Sequence, residues 1–174
     1  IKGLGLSLSL EEEFKKIDED FRAQAGIQYA ASRGEFLNGK IMAAYLGYDF
    51  VDAASVIRFD KAGNLEAEET NKLLSKKLSK SQHAVTPGFY GACADGTVKT
   101  FSRGGSDVTG SLVAKAIHAD IYENWTDVSG FLVTDPRIVH NPEPIEAITY
   151  RELRELSYMG ATVLHEDAIF PVRK

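Results

Sequence analysis

The order of apolar patterns along this chain constrains its fold more than any other feature. Segments with apolar residues at helical spacing, such as Leu10, Phe14 and Ile17, alternate with short apolar runs such as residues 48–51. Helices that alternate with short strands are typical of an α/β domain with a mostly parallel sheet. We therefore predict one layered α/β domain over residues 1–174.

Local signals predict where the helices and strands begin and end. Three segments of the type Ser/Thr-x-x-Glu, at residues 9–12, 32–35 and 149–152, match the capping box that begins a helix, and Gly47 is a helix stop. Asp95-Gly96 between short β-prone runs predicts a hairpin. Further helices are predicted at residues 66–78 and from Ser106 onward, and strands at residues 48–51, 84–90 and 120–125.

Charge and composition exclude several classes of protein. The net charge of −5 argues against a broad nucleic-acid surface, and no apolar run approaches the roughly 18 residues of a membrane helix. Cys93 is the single cysteine, so no internal disulfide can form, which fits a reducing, cytoplasmic location. The four histidines lack metal-ligand spacing, and we predict no metal ligands in the chain.

Residues 103–107, Arg-Gly-Gly-Ser-Asp, are the strongest candidate for a binding site. Gly104 and Gly105 let backbone N–H groups approach an anion, and the arginine fork suits a carboxylate. Ser106 can cap the helix that follows, whose N-terminus attracts negative charge. The local pattern fits an anion-binding turn and an ordinary capped helix start equally well.

Four segments together resemble the catalytic core of the aspartate kinases, in the amino acid kinase family. They are RGGSD at 103–107, WTDVSG at 125–130, TDPR at 134–137 and MGATVLH at 159–165, in the family's order, and the resemblance covers about residues 32–165. It implies a three-layer αβα sandwich, with an amino-acid-binding part at about residues 1–107 and a nucleotide-binding part at about 108–174.

The resemblance also implies an activity. The reaction would be Mg²⁺-dependent transfer of the ATP γ-phosphate to the side-chain carboxylate of L-aspartate, the first step of lysine, threonine and methionine biosynthesis. The partners would be L-aspartate and ATP, without nucleic acid or membrane, and the full-length protein could form a homo-oligomer.

The resemblance also implies roles for the residues of the acceptor site. The resemblance implies that Arg103, with Gly104, Gly105 and Ser106, holds an aspartate carboxylate, and that Asp107 lies beside the reaction centre. Glu35 matches the family glutamate that contacts the substrate ammonium group. The local sequence alone favours the structural role, with Glu35 as an ordinary residue of the capping box at 32–35, over substrate binding.

A second set of residues is expected to hold the nucleotide. The resemblance implies that Arg137 lies near the phosphates and that the other members of the set line the nucleotide. Two of them depart from the family pattern, because a leucine stands where tyrosine is usual and a threonine where lysine is usual. The set is Thr126, Asp127, Leu132, Asp135, Pro136, Arg137 and Thr162.

These departures keep alternatives open. Thr162 cannot neutralise ATP phosphates as a lysine would. The chain begins at Ile1 without the family's glycine-rich opening, so we expect a fragment with little or no kinase activity of its own. The alternatives are a kinase of the same fold for another carboxylate or a carbamate, and a non-catalytic amino-acid-binding member.

Overall fold

Six α-helices and five short strands make up the described part of the protein, in a computed structural model that describes residues 1–102, 104–125, 130–135 and 137–158. A short 3₁₀ helix at Lys2–Leu4 precedes them. The helices are α1 Glu11–Arg22, α2 Ile27–Leu46, α3 Ala53–Val56, α4 Ala67–Leu78, α5 Gly105–Ala116 and α6 Tyr150–Tyr158. The strands are β1 Asp49–Phe50, β2 Arg58–Phe59, β3 Ala84–Val85, β4 Tyr90–Cys93 and β5 Val98–Thr100.

The described strands form two small sheets that are mostly parallel, as predicted. β1 pairs in parallel with β3, and β4 lies between β2, to which it is parallel, and β5, to which it is antiparallel. The predicted hairpin at Asp95-Gly96 is confirmed, since it joins β4 to β5 and Gly96 has a φ of 88°. The predicted strand at 84–90 is split into β3 and β4 by a segment that contains Pro87, which has no N–H for a sheet hydrogen bond.

Of the three predicted capping boxes, only the last one forms. The backbone N–H of Glu152 donates to Thr149 Oγ1 at 3.3 Å, and the Thr149 N–H donates to the Glu152 carboxylate at 2.9 Å. At the start of α1 the Ser9 hydroxyl only reaches Glu11 N, at 3.4 Å, and no side chain caps the helix. The box at 32–35 is wrong, because α2 begins at Ile27 and Ser32 is a buried residue inside it.

Helices α1 and α2 are joined at both ends of their contact. Tyr29 near the start of α2 donates to the Asp20 carboxylate at 2.6 Å, and Lys40 further along α2 forms an ion pair with Glu13 of α1. The predicted stop at Gly47 is confirmed, with a left-handed φ of 70°.

The core lies between the β2–β4–β5 sheet and the helices around it. Tyr90 and Ile57 are its largest fully buried side chains, and Leu74 of α4 and Leu112 of α5 belong to the same cluster. Phe36 of α2 packs against this cluster from its partly buried position. The start of α5 lies against Phe89, the residue just before the N-terminal end of β4.

The predicted strand at residues 120–125 is wrong. These residues pair with no strand, and Tyr122 and Asn124 instead contact α5 through their side chains. Among the residues that the structure describes, no helix combines the length and the apolar character needed to cross a bilayer.

Candidate acceptor and nucleotide site

The glycine-rich turn begins α5, and its backbone conformation explains the glycines. Gly104 is the residue before the helix and has a left-handed φ of 56°, which side chains disfavour. Gly105 is the first helical residue and is buried. The predicted cap by Ser106 is wrong: it lies in the first turn, is exposed, and no side chain caps α5. The backbone N–H groups of this turn are therefore not occupied by a side-chain cap.

Phe89 packs directly against this turn, and the sequence did not reveal it as a site residue. A Cβ placed on Gly105 would lie 2.7 Å from Phe89 Cβ and 2.8 Å from Phe89 Cα. The Phe89 N–H donates to Thr109 Oγ1 of α5 at 3.2 Å, and its φ of 60° is unusual for an aromatic residue. Unfavourable backbone angles that the surroundings enforce often occur at functional sites. The only sequence signal was Gly88, which packs on Ser106.

Glu35 lies within α2 as a partly buried carboxylate. No described residue forms a hydrogen bond or an ion pair with it. Because the capping box at 32–35 does not form, the structural alternative for this residue is removed. The start of α2 is tied to the end of β5, since the Thr100 N–H donates to Gln28 Oε1 at 3.0 Å.

Tyr90 connects β4 to the start of α3. Its hydroxyl donates to Asp52 Oδ1 at 2.8 Å, and Asp52 also caps the short helix α3 through the Ala54 N–H. Burial raises the pKa of the Tyr90 hydroxyl, and the charge of Asp52 raises it further. The charge of Arg33 on α2 opposes this rise in the pKa, and its guanidinium lies over the Tyr90 ring, 5.6 Å from the ring centroid.

Asp107 lies in the first turn of α5 and is held from the far side by residues 122 and 124. Asn124 Nδ2 donates to Asp107 Oδ1 at 3.2 Å, and the Tyr122 hydroxyl donates to the Asp107 carbonyl at 3.4 Å. Burial, and then the charge of Asp107, raise the pKa of Tyr122. A negative side chain near a helix N-terminus is itself favourable.

The described members of the predicted nucleotide set form a cluster in the sequence, after α5. Leu132 forms an antiparallel bridge with Pro144, and Asp135 holds the exposed Arg137 side chain, with Nη2 2.6 Å from Oδ2. The guanidinium keeps the pKa of the Asp135 carboxyl below its ordinary value. No described hydrogen bond or ion pair joins this cluster to the glycine-rich turn.

Five of the predicted site residues lie outside the described residues: Arg103, Thr126, Asp127, Pro136 and Thr162. Their roles stay predictions. Within the described ranges, no group of three or more His, Cys, Asp or Glu side chains could hold a metal ion.

The fold and this site define the class of protein. The chain belongs to the amino acid kinase family, whose model matches residues 4–174. Aspartokinase 3 of Bacillus subtilis is 41% identical over 146 residues, which are 79% of this chain and 32% of that protein. Lysine-sensitive aspartokinase 3 of Escherichia coli is 42% identical over 87 residues, or 50% of this chain and 19% of that protein. The chain thus spans about a third or less of these relatives.

Comparison with solved structures leads to the same family. The aspartate kinase of Clostridium acetobutylicum superposes with a TM-score of 0.90 at 55% identity, over 97% of this chain and 39% of that one. Aspartokinase III of E. coli in complex with aspartate and ADP superposes with a TM-score of 0.80 at 27% identity, over 95% of this chain and 42% of that one. These likenesses confirm the predicted αβα fold.

The contact between Gly105 and Phe89 leads to a first prediction. A methyl group at Gly105 cannot fit without moving Phe89 or the helix start, so we expect Gly105→Ala to lower the free energy of unfolding by about 1–3 kcal/mol. Chemical denaturation followed by circular dichroism measures this change.

Ser106→Ala is the matched control at the next position. Its hydroxyl caps nothing, so we expect a change within about 0.5 kcal/mol, whereas the loss of a true cap costs about 1 kcal/mol. Equal losses in the two variants would show that the turn tolerates no substitution, whatever the packing.

Proposed function

We propose that the protein containing this chain is an aspartate kinase, which transfers the γ-phosphate of ATP to the side-chain carboxylate of L-aspartate and forms 4-phospho-L-aspartate. The observation that carries the proposal is Glu35, a partly buried carboxylate that has no hydrogen-bond or ion-pair partner among the described residues, on a helix whose start is tied to the end of β5. An unpaired buried acid is costly unless a cation binds it, and an amino acid brings an ammonium group. The aspartokinases among the relatives support the same acceptor.

Different site residues bind different groups of the aspartate substrate. Glu35 binds the ammonium group, and Arg103 binds a carboxylate through its planar fork. The start of α5 is not capped by a side chain. The backbone N–H groups at Gly104, Gly105 and Ser106 can therefore bind the same carboxylate. Asp107 lies beside the transferred group.

Residues that follow α5 in the chain bind the nucleotide. Thr126, Asp127, Leu132, Asp135, Pro136 and Thr162 line it, and Arg137 lies near the phosphates. Because Arg137 is paired with Asp135, its charge is shared between that carboxylate and the phosphates. Mg²⁺ would enter with ATP as part of the nucleotide substrate and would neutralise charge on its phosphates.

Catalysis needs positioning and charge neutralisation more than proton transfer. A carboxylate oxygen of aspartate attacks the γ-phosphorus, the bond from that phosphorus to the bridging oxygen breaks, and ADP leaves with the electron pair. The attacking carboxylate is ionised at neutral pH, so no general base is required. Holding the reacting atoms in line can supply a large part of the rate enhancement.

Trapping of the acyl phosphate with hydroxylamine tests this function. We expect the protein expressed from the complete reading frame to form a hydroxamate from ATP, Mg²⁺ and aspartate, and none from glutamate. Product from glutamate or from a carbamate alone would replace the acceptor and keep the kinase.

One observation favours a second candidate. Thr162 stands where the family lysine is usual, which suits a non-catalytic member that binds the amino acid without transferring phosphate. No hydroxamate from any acceptor, together with calorimetric binding of aspartate by the folded protein, would support this candidate over the kinase.

A further inference from the structure

Two residues of the segment at 120–125 fasten it to the first turns of α5. The hydroxyl of Tyr122 reaches the Asp107 carbonyl at 3.4 Å, and the amide of Asn124 donates to Asp107 Oδ1 at 3.2 Å. The α5 helix is shaped for this contact, because a Cβ on Gly110 would lie 2.4 Å from the Tyr122 hydroxyl. The side chain of residue 122 thus fills the space that the glycine leaves open.

The partner in this contact is a charged group of the acceptor site. Asp107 is in the first turn of α5, two residues after Gly105, and its other oxygen, Oδ2, forms no hydrogen bond to a described residue. A single donor on Oδ1 restricts the rotation of the carboxylate and offsets part of its charge. Both effects matter beside a phosphoryl group, which is itself negative.

The position of Asn124 in the chain adds a second consequence. It lies two residues before Thr126 and three before Asp127, which the proposed function assigns to the nucleotide. Asn124 is therefore close in sequence to that set of residues, and its side chain contacts α5 at Asp107. Among the described residues, no other side-chain hydrogen bond links residues 120–125 to α5 except that of Tyr122.

We propose that Asn124 is a positioning residue for phosphoryl transfer: its amide orients the Asp107 carboxylate, which the proposed function places beside the transferred group. This inference rests on the proposed kinase function. It predicts that Asn124 acts through Asp107 and not through the stability of the fold, because its side chain is exposed.

A double-mutant cycle in the protein from the complete reading frame tests the proposal. We expect Asn124→Ala to lower kcat by roughly 10-fold to 100-fold, as small misplacements of reacting groups do, with little change in melting temperature. In an Asp107→Ala background the same substitution should have no further effect, since the oxygen that it orients is gone. Asn124→Asp should be worse than Asn124→Ala, because it places a second negative charge against the carboxylate.

Glu123→Gln is the matched control on the same segment. The Glu123 carboxylate accepts only from Trp125 Nε1, at 3.1 Å, and makes no contact with α5. We expect kcat of this variant to be within twofold of the wild-type value, roughly the size of a neutral surface substitution.

The outcomes separate this inference from the proposed function. Wild-type kcat in Asn124→Ala, or independent effects that multiply in the double variant, would overturn the positioning role while the kinase stands. If the wild-type protein forms no hydroxamate, the kinase falls, and the cycle is then measured on aspartate affinity by calorimetry with ADP present. Additive losses of affinity there would overturn the inference as well.

Discussion

Gly91→Ala is expected to lower the free energy of unfolding by about 3 kcal/mol, the upper end of the usual cost of overpacking a core. A Cβ at this position would lie 2.6 Å from the Ile57 carbonyl oxygen and 2.7 Å from Ile57 Cγ2. The obstacle is backbone, and the next residue, Ala92, donates its N–H to that same carbonyl at 3.0 Å. A methyl group would therefore push β4 away from its neighbour and weaken a sheet hydrogen bond.

Gly34→Ala is the control for this prediction. Gly34 lies inside α2 with no atom within 4 Å of the added methyl group, so alanine should stabilise the helix by about 0.5–1 kcal/mol. Native-state hydrogen exchange of the β4 amides measures the first change and that of the α2 amides the second. Unchanged exchange in β4 of Gly91→Ala would contradict the prediction, because it would mean that the sheet accommodates the methyl group without loss of stability.

Arg103→Ala is expected to raise the KM for aspartate by roughly 10-fold to 100-fold, the size of a lost hydrogen bond to a charged group. The KM for ATP should stay within about twofold, because the guanidinium is assigned to the acceptor and not to the nucleotide. Initial rates of acyl phosphate formation, measured against each substrate in turn, give both values.

A surface arginine provides the control. Arg22 pairs with Asp18 on α1, with its side chain 79% exposed, so Arg22→Ala removes the same charge without touching the site. We expect both KM values of this variant to match the wild type. If Arg103→Ala weakens both substrates equally, the arginine does not belong specifically to the acceptor.

Much of the fold follows from local sequence, and the failures have a common cause. The helix at 66–78, the stop at Gly47 and the box at Thr149 were predictable because the chemistry that creates them lies within a few residues. The box at 32–35 has the same local form but lies within a longer helix that buries Ser32. Burial of one face of α2 outweighs a local capping preference.

The strand predicted at residues 120–125 shows the limit more clearly. Its residues have strand propensity, but a strand needs a partner, and pairing is set by distant parts of the chain. Here the side chains of Tyr122 and Asn124 bind α5. The contact with Asp107 is equally non-local, and so is the approach of Phe89 to Gly105.

The site was predictable as a set of residues but not as an arrangement. The resemblance to a family placed Glu35 and residues 104–107 in one site, and the structure ties the start of α2 to the end of β5 through the bond from Thr100 to Gln28. The sequence suggested a side-chain cap at the start of α5, because serine is a usual capping residue. The structure shows none there.

The rate at which a reagent labels Cys93, the single cysteine of the chain, can report how often the sheet opens. Cys93 lies at the end of β4, is 5% exposed, and its sulfur donates to the Asp60 carbonyl at 3.3 Å. A thiol reagent can reach this sulfur only when the strand separates from its neighbours, so the rate of labelling counts those openings in the folded protein. Any substrate that holds α2, β4 and the start of α5 together should slow the labelling, which makes one buried atom a reporter of binding without any added probe on the protein.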